Sequence, residues 1–321
     1  MKWLLLGGSV FVLSYLLVPP TIALAWRIGA VDVPCDWRRM HREKLPRAGG
    51  VAILASLLGG ALFLLPWNAS LGAMLLGAGA LLLVGLLDDV FCLGAWQKLV
   101  AEAAVTLGVL WLSDGALTSR TLPALLWVVA LCNAHNMIDG LDGLLAGCAA
   151  IEGGALALFF WLSGRGAQGL LPFLLASACL GFRQWNRYPA RIFAGDCGST
   201  VVGFLLGILS LPCFEGGGIA GTVAPLLLFA YPLTDLGTAV LRRVLRGKSP
   251  FAADRGHLHH RIAAVGLTQV QSAGVLLSLT AGIGLIGVFL ADAAFLPSAS
   301  LAALAAVALL PALRSYILGF A

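Results

Sequence analysis

The chain has 321 residues, of which 60% are hydrophobic and only 11% charged, with a mean hydropathy of +0.96. A soluble domain of this length carries roughly 25% charged residues, so composition excludes an ordinary water-soluble protein. The formal net charge of +5 follows from how Lys and Arg are distributed, and no nucleic-acid partner is needed to explain it.

Runs of about 20 apolar residues recur from end to end, and in hydrocarbon each run must satisfy its own backbone, which a helix does. The predicted fold class is therefore all-α, a polytopic membrane helix bundle. Eleven spans are predicted, at roughly 3–25, 49–66, 71–87, 97–113, 121–137, 143–163, 169–185, 199–214, 219–241, 268–290 and 295–313. The first has a long apolar core and no small-residue cleavage site, so it reads as a retained helix interrupted by Pro19 and Pro20 rather than as a signal peptide.

Placing the N-terminus outside puts 17 Lys and Arg on inner segments against three outside, Lys2, Arg120 and Arg165. The positive-inside rule favours that orientation, with the C-terminus cytoplasmic. Seven cysteines, without CxxC or metal-like spacing, read as small packing residues. No internal repeat or second domain is visible, so residues 1–321 form one transmembrane domain.

The outer connections are short and bland, whereas the inner ones carry nearly every group capable of chemistry. "LLDDVFCLGAWQKL" ends the third span with Asp88 and Asp89 and opens the fourth with Lys98. Adjacent carboxylates at a helix C-terminus face the unfavourable end of the dipole and need a cation, a metal or simply water. "NAHNMIDGLDGL" sets Asn133 and Asn136, then Asp139 and Asp142, at spacings of three, which on a helix share one face. A solvated turn would explain the acids, but the asparagines lie within a span, where polar groups face a cavity or the bundle interior.

"WNRYPARIFAGDCGST" holds Asn186 and then Asp196 between Gly195 and Gly198, with Ser199 as the expected N-cap of the eighth span. A helix N-terminus there would attract phosphate, or the segment is a plain capping turn. "LRRVLRGKSPFAADRGHLHHRI" is the most basic loop and ends with His257, His259 and His260. It suits a nucleotide or pyrophosphate; positive-inside charge with anionic lipid contact and a zinc site are alternatives. Asp235 is an ionisable residue late in the ninth span and a functional candidate by default, with helix–helix hydrogen bonding as the simpler account. Together, carboxylates with amides suggest a hard cation, most plausibly Mg²⁺, and cations with imidazoles suggest phosphate; the sum is phosphoryl transfer at a membrane surface.

"HREKLPRAGG", "DDVFCLGAWQK", "NAHNMIDGLDGL", "WNRYPARIFAGDCGS" and "GKSPFAADRGHLHHRI", in this order over residues 27–261, resemble the polyprenyl-phosphate N-acetylhexosamine-1-phosphate transferases. The resemblance implies transfer of a sugar 1-phosphate from a UDP-sugar to undecaprenyl phosphate, with release of UMP. It further implies Mg²⁺, with Mn²⁺ as a substitute, and a site at the cytoplasmic face of a bacterial inner membrane. On the same ground Asp196 and Asn136 are the metal residues and Asp88, Asp89 and Lys98 the catalytic group: the two acids would position or activate the lipid phosphate and help shape the metal site, as organiser, base or nucleophile, and Lys98 would neutralise phosphate. Arg47, Asn133, Asp139, Asp142, Asn186, His257, His259 and His260 would contact substrate.

The HxHH pattern resembles the UDP-GlcNAc-using branch that starts O-antigen, enterobacterial-antigen or teichoic-acid linkage units. UDP-MurNAc-pentapeptide or UDP-FucNAc are the alternative donors. His135 departs from the apolar or aromatic residue commoner in that position of the family. A second copy of the chain is a candidate partner. An anionic-solute transporter or flippase is the reading from another class, and it predicts polar groups near mid-membrane, where these spans are apolar.

Overall fold

Ten of the eleven predicted spans coincide with helices in a computed structural model of the protein. It describes residues 2–32, 44–64, 67–215, 218–251, 256–264 and 266–289, together with the backbone but not the side chain of a few residues, His260 among them. The predicted eleventh span, the C-terminus, and the His41–Arg42–Glu43 start of the first motif lie outside the described residues.

The elements run α1 (Lys2–Ile28), β1 (Val31–Asp32), β2 (Leu45–Pro46), α2 (Gly49–Leu64), α3 (Ala69–Phe91), α4 (Ala95–Asp114), α5 (Thr121–Ile138) and α6 (Leu144–Leu162). They continue with α7 (Gly166–Asn186), α8 (Gly195–Glu215), α9 (Gly218–Leu228), α10 (Ala230–Leu245), α11 (Leu258–Ala264) and α12 (Gln269–Phe289). Six of these, α1, α3, α5, α6, α8 and α12, are long and apolar enough to cross a membrane. The chain is thus a multi-pass membrane helix bundle. α2, α4 and α7 are helical where predicted but shorter or more polar. Pro19 and Pro20 lie inside α1 without ending it.

The predicted ninth span is corrected: it is broken into α9 and α10, which meet at 80°. The cause is legible at Pro232, which lacks the N–H that a continuous helix would direct to Leu228 and whose ring would clash with that carbonyl. α9 stops at Leu228, and Pro232 falls in the first turn of α10, where an absent N–H costs nothing. Among the described residues, the all-α expectation has one small exception, an antiparallel pair of two-residue strands, Val31 opposite Pro46 and Asp32 opposite Leu45.

α8 lies inside the bundle, flanked by α3, α5 and α2, while α6 packs on α7 and α12, and α1 packs on α7 and α2. Gly85 of α3 lets the two backbones touch: a methyl group there would come within 2.8 Å of the Asp196 carbonyl carbon. This contact sets the C-terminal end of α3 against the N-terminal end of α8. The C-terminal ends of α3, α5 and α7 and the N-terminal ends of α4, α6 and α8 meet at one end of the bundle, and the polar motifs meet there with them.

Candidate active site

Lys98, in the first turn of α4, is the centre of the constellation. Its ammonium donates to Asp88 Oδ2 at 2.8 Å and to Asp196 Oδ2 at 3.2 Å. This cation offsets the α3 dipole at Asp88, the partner the sequence demanded. Asp89 finds a different one. Its two carboxylate oxygens accept the backbone N–H groups of Asp196 at 3.0 Å and of Cys197 at 3.1 Å, and Arg47 Nε lies 3.4 Å from Oδ1. Asp89 therefore caps α8 from another helix.

Two expectations are corrected here. Ser199 is not the N-cap: α8 begins at Gly195, and Ser199 sits one turn in, its hydroxyl donating to Gly195 O at 3.1 Å. The first N–H groups of α8 are not held out for phosphate, since the Asp89 carboxylate occupies those of Asp196 and Cys197. Gly195 makes the turn possible, with φ +74° and no room for a side chain, since a methyl group would lie 2.6 Å from Asp89 Oδ2.

The "LPRAGG" segment lies alongside "IFAG" through three backbone bonds, Phe193 N–H to Pro46 O, Gly49 N–H to Phe193 O and Gly50 N–H to Ala194 O, at 2.9–3.1 Å. That pairing carries Arg47 into the carboxylates, 3.4 Å from Asp89, 3.7 Å from Asp32 and 3.8 Å from Asp196. Burial works against the guanidinium charge, but Asp89, Asp196 and Asp139 outweigh it and hold the Arg47 pKa above its ordinary value. Arg47 is thus an organiser of the acids.

Asn136 donates to Asp196 Oδ1 at 2.5 Å and to Ser199 Oγ at 3.0 Å. The amide nitrogen faces the acid, so Asn136 orients the Asp196 carboxylate. Asn133 is committed to Glu102, donating to Oε2 at 2.6 Å. The sequence reading missed Glu102. It is 4% exposed and one helical turn after Lys98 on the same face of α4. The signal that would have found it was an acid inside an apolar run.

Asp139 follows α5 directly, accepts the Gly195 N–H and faces Arg47, Asp196 and Asp89. Burial, reinforced by the neighbouring acids and opposed by Arg47, pushes its carboxyl up to about 7. The sign follows: a raised folded-state pKa means the protonated form is favoured in the fold, so the stability this group contributes is lost as pH rises from its unfolded value through 7. The thermal midpoint of detergent-purified protein is expected to fall between about pH 5 and about pH 8, and Asp139→Asn to flatten that slope. A slope unchanged in the variant would dissociate Asp139 from it.

Asp142 and Asn186 are placed away from this cluster, in a brace between the α5–α6 junction and the segment after α7. Asp142 Oδ2 accepts the Ala190 N–H at 2.9 Å. Asn186, 2% exposed, accepts the Gly143 N–H at 3.1 Å and donates to Ile192 O at 2.9 Å. Both ends of its amide are thus used within the chain. Asn186→Leu would orphan two buried backbone groups and is expected to destabilise by about 2–4 kcal/mol, measured as a lower thermal midpoint. His257 and His259 stack with ring centroids 5.6 Å apart at 4°, and His259 packs against Gly140 of the junction.

His135 finds its partner in Glu152, seventeen residues on. Its Nε2 lies 2.7 Å from Glu152 Oε2 of α6 and its Nδ1 2.8 Å from Leu131 O, with both side chains fully buried. It cross-links the two arms of the junction and does not reach the carboxylate cluster.

Among the described residues, no three His, Cys, Asp or Glu side chains already converge in a metal-holding group. The acids are held by Lys98, Arg47 and backbone N–H groups instead. The donor chemistry still fits a hard divalent cation, because Asp88, Asp89, Asp139 and Asp196 outnumber Lys98 and Arg47 and offer carboxylate oxygens.

Residues 70–213 match the family described as Glycosyl transferase family 4. The chain is 32% identical over 280 residues to a "Probable undecaprenyl-phosphate N-acetylglucosaminyl 1-phosphate transferase" of Bacillus subtilis, covering 82% of this chain and 78% of that protein. It is 32% identical to a "Decaprenyl-phosphate N-acetylglucosaminephosphotransferase" of Mycobacterium tuberculosis, covering 82% and 76%. It is also 32% identical to the "Undecaprenyl-phosphate alpha-N-acetylglucosaminyl 1-phosphate transferase" of Escherichia coli K12, covering 90% and 84%. With these likenesses, spread over more than four fifths of its length, the chain belongs to glycosyl transferase family 4, in its polyprenyl-phosphate N-acetylglucosaminyl 1-phosphate transferase branch.

Proposed function

We propose that the protein transfers GlcNAc 1-phosphate from UDP-GlcNAc to undecaprenyl phosphate at the cytoplasmic membrane face, releasing UMP, with Mg²⁺ as cofactor. The observation that carries the reading is Lys98 bridging Asp88 and Asp196 where the C-terminal end of α3 meets the N-terminal ends of α4 and α8. The names of the relatives support a polyprenyl phosphate acceptor and a GlcNAc phosphate donor. The positive-inside distribution supports the face.

The chemical demand is to bring two anions together. A phosphate monoester has its second pKa near 6, about as in phosphorylated side chains, so the acceptor arrives mostly as a dianion and needs little help from a base. Its attack on the donor's β-phosphorus forms the new pyrophosphate link and expels UMP, which takes the bridging oxygen's electron pair. The protein's task is charge and alignment. Lys98 supplies a cation at the apolar boundary, where a lipid phosphate must enter. Asp89 and Arg47 fix the first turn of α8 and so the direction of Asp196, which Asn136 steadies from α5. Asp196 and Asp88, which converge on one ammonium, are the residues that would hold Mg²⁺; bound there, it would neutralise phosphate charge.

The test is direct. Purified protein in detergent is given labelled UDP-GlcNAc, undecaprenyl phosphate and Mg²⁺, and lipid-linked label and UMP are measured. Transfer from none of the UDP-N-acetylhexosamines overturns the proposal. Transfer only from UDP-MurNAc-pentapeptide or UDP-FucNAc keeps the chemistry and replaces the donor.

A further inference from the structure

The mechanism makes no use of Asp235, a buried acid far along the sequence from the carboxylate cluster. Asp235 of α10 is 2% exposed, and both of its oxygens are committed to the histidine segment: Oδ2 lies 3.0 Å from His257 Nδ1, and Oδ1 accepts the Leu258 N–H at 2.8 Å. Thr238 and Arg242 follow at spacings of three and four and are also buried, so one face of α10 carries all three. The Arg242 guanidinium lies under Gly256, where a methyl group would come 2.5 Å from Nε. This face of α10 therefore acts as a mould for residues 256–258.

The contact passes onward. His257 stacks in parallel on His259, and the His259 ring lies against Gly140, where any side chain would collide with it, a built methyl falling 2.9 Å from Cε1. Gly140 adjoins Asp139, which faces Arg47 and Asp196. A continuous physical chain thus runs from Asp235 through two imidazoles to the edge of the carboxylate cluster.

We propose that Asp235 is a positioning residue for the nucleotide-sugar donor, fixing the tautomer and ring plane of His257 and, through the stack, the place of His259. A carboxylate offers only acceptors, so His257 must carry a proton on Nδ1, toward Asp235. Asn at 235 keeps the shape but cannot serve both partners in the same way. With its oxygen on the Leu258 N–H, its NH₂ faces Nδ1 and forces the proton to Nε2. The ring stays in place with its polarity reversed. The assignment to the donor rests on the proposed function together with the substrate contact that the family resemblance implies for His257 and His259, whereas the clamp on the ring does not.

The experiment uses the full chain in detergent, as wild type, Asp235→Asn, His257→Ala and the double variant. Asp235→Asn is expected to lower kcat/KM for UDP-GlcNAc roughly 10- to 100-fold, by analogy with lost partners of ligating histidines, and to leave KM for undecaprenyl phosphate within about twofold of wild type. In the His257→Ala background the same change should cost less than about threefold, since its target is gone. Full-sized loss in both backgrounds, or near-wild-type kinetics of Asp235→Asn, overturns the proposal. Nitrogen NMR of isotope-labelled histidine, with His257→Ala for assignment, reads the tautomer without turnover. A proton on Nδ1 in the wild type and on Nε2 in Asp235→Asn supports the clamp, and Nε2 in the wild type overturns it without any need for a folded Asp235 variant. If the wild type transfers no UDP-N-acetylhexosamine, the functional reading fails while the NMR still decides the clamp.

Discussion

Asp196→Asn is expected to lower turnover by roughly a thousandfold or more, with the thermal midpoint of the purified protein shifted by only a few degrees, about what a change of 1 kcal/mol in a large domain produces. The substitution preserves volume and leaves Asp89 in possession of the α8 N–H groups, so the helix should stay docked. What it removes is charge. Asp196 receives Lys98 at 3.2 Å and Asn136 at 2.5 Å and stands 3.8 Å from Arg47. A neutral amide attracts neither cation strongly and can turn an NH₂ toward Asn136, donor against donor. Near-normal turnover with the wild-type Mg²⁺ dependence would show that Asp196 is not the metal residue.

Lys98→Met should produce the second large effect, a drop in kcat of roughly 10²- to 10³-fold. Methionine retains the apolar stem and lacks the ammonium, so Asp88 and Asp196 are left without the cation between them. Two readouts separate this loss from simple damage. KM for undecaprenyl phosphate should rise, because the acceptor phosphate loses its cation. The Mg²⁺ concentration for half-maximal activity should fall, because the ammonium no longer competes for the same carboxylates. A raised Mg²⁺ requirement would instead mean that Lys98 helps to build the metal site. Lys98→Arg is a weak rescue, since a planar fork is not a substitute for a point charge held between two acids.

The helices were legible because lipid leaves each apolar run one way to satisfy its backbone. The break between α9 and α10 was obscured by the unbroken apolar run around it, although Pro232 supplied the local reason. The site's members were legible as polar residues in costly places: Asp88 and Asp89 at a helix C-terminus, Asn136 within a span. Their division of labour was not, because it depends on which atoms meet across helices far apart in sequence. Sequence cannot show that Asp89 caps α8 while Asp88, its neighbour, faces Lys98, or that Asn186 spends its amide on Gly143 and Ile192. Glu102 and Glu152 are illegible for a related reason. Each sits in an apolar helix, and only the fold shows that the first answers Asn133 and the second His135.

The cap that Asp89 places on α8 has a consequence in time as well as space. Asp88 and Lys98 are ten residues apart and can pair as soon as α3 and α4 lie together. The peptide groups that Asp89 holds are synthesised more than a hundred residues later. Throughout that interval Asp89 has no helix to cap, because α8 has not yet been made. The carboxylate cluster is therefore completed only when α8 packs beside α3, and a chain arrested before α8 carries Asp88 and Lys98 but not Asp196.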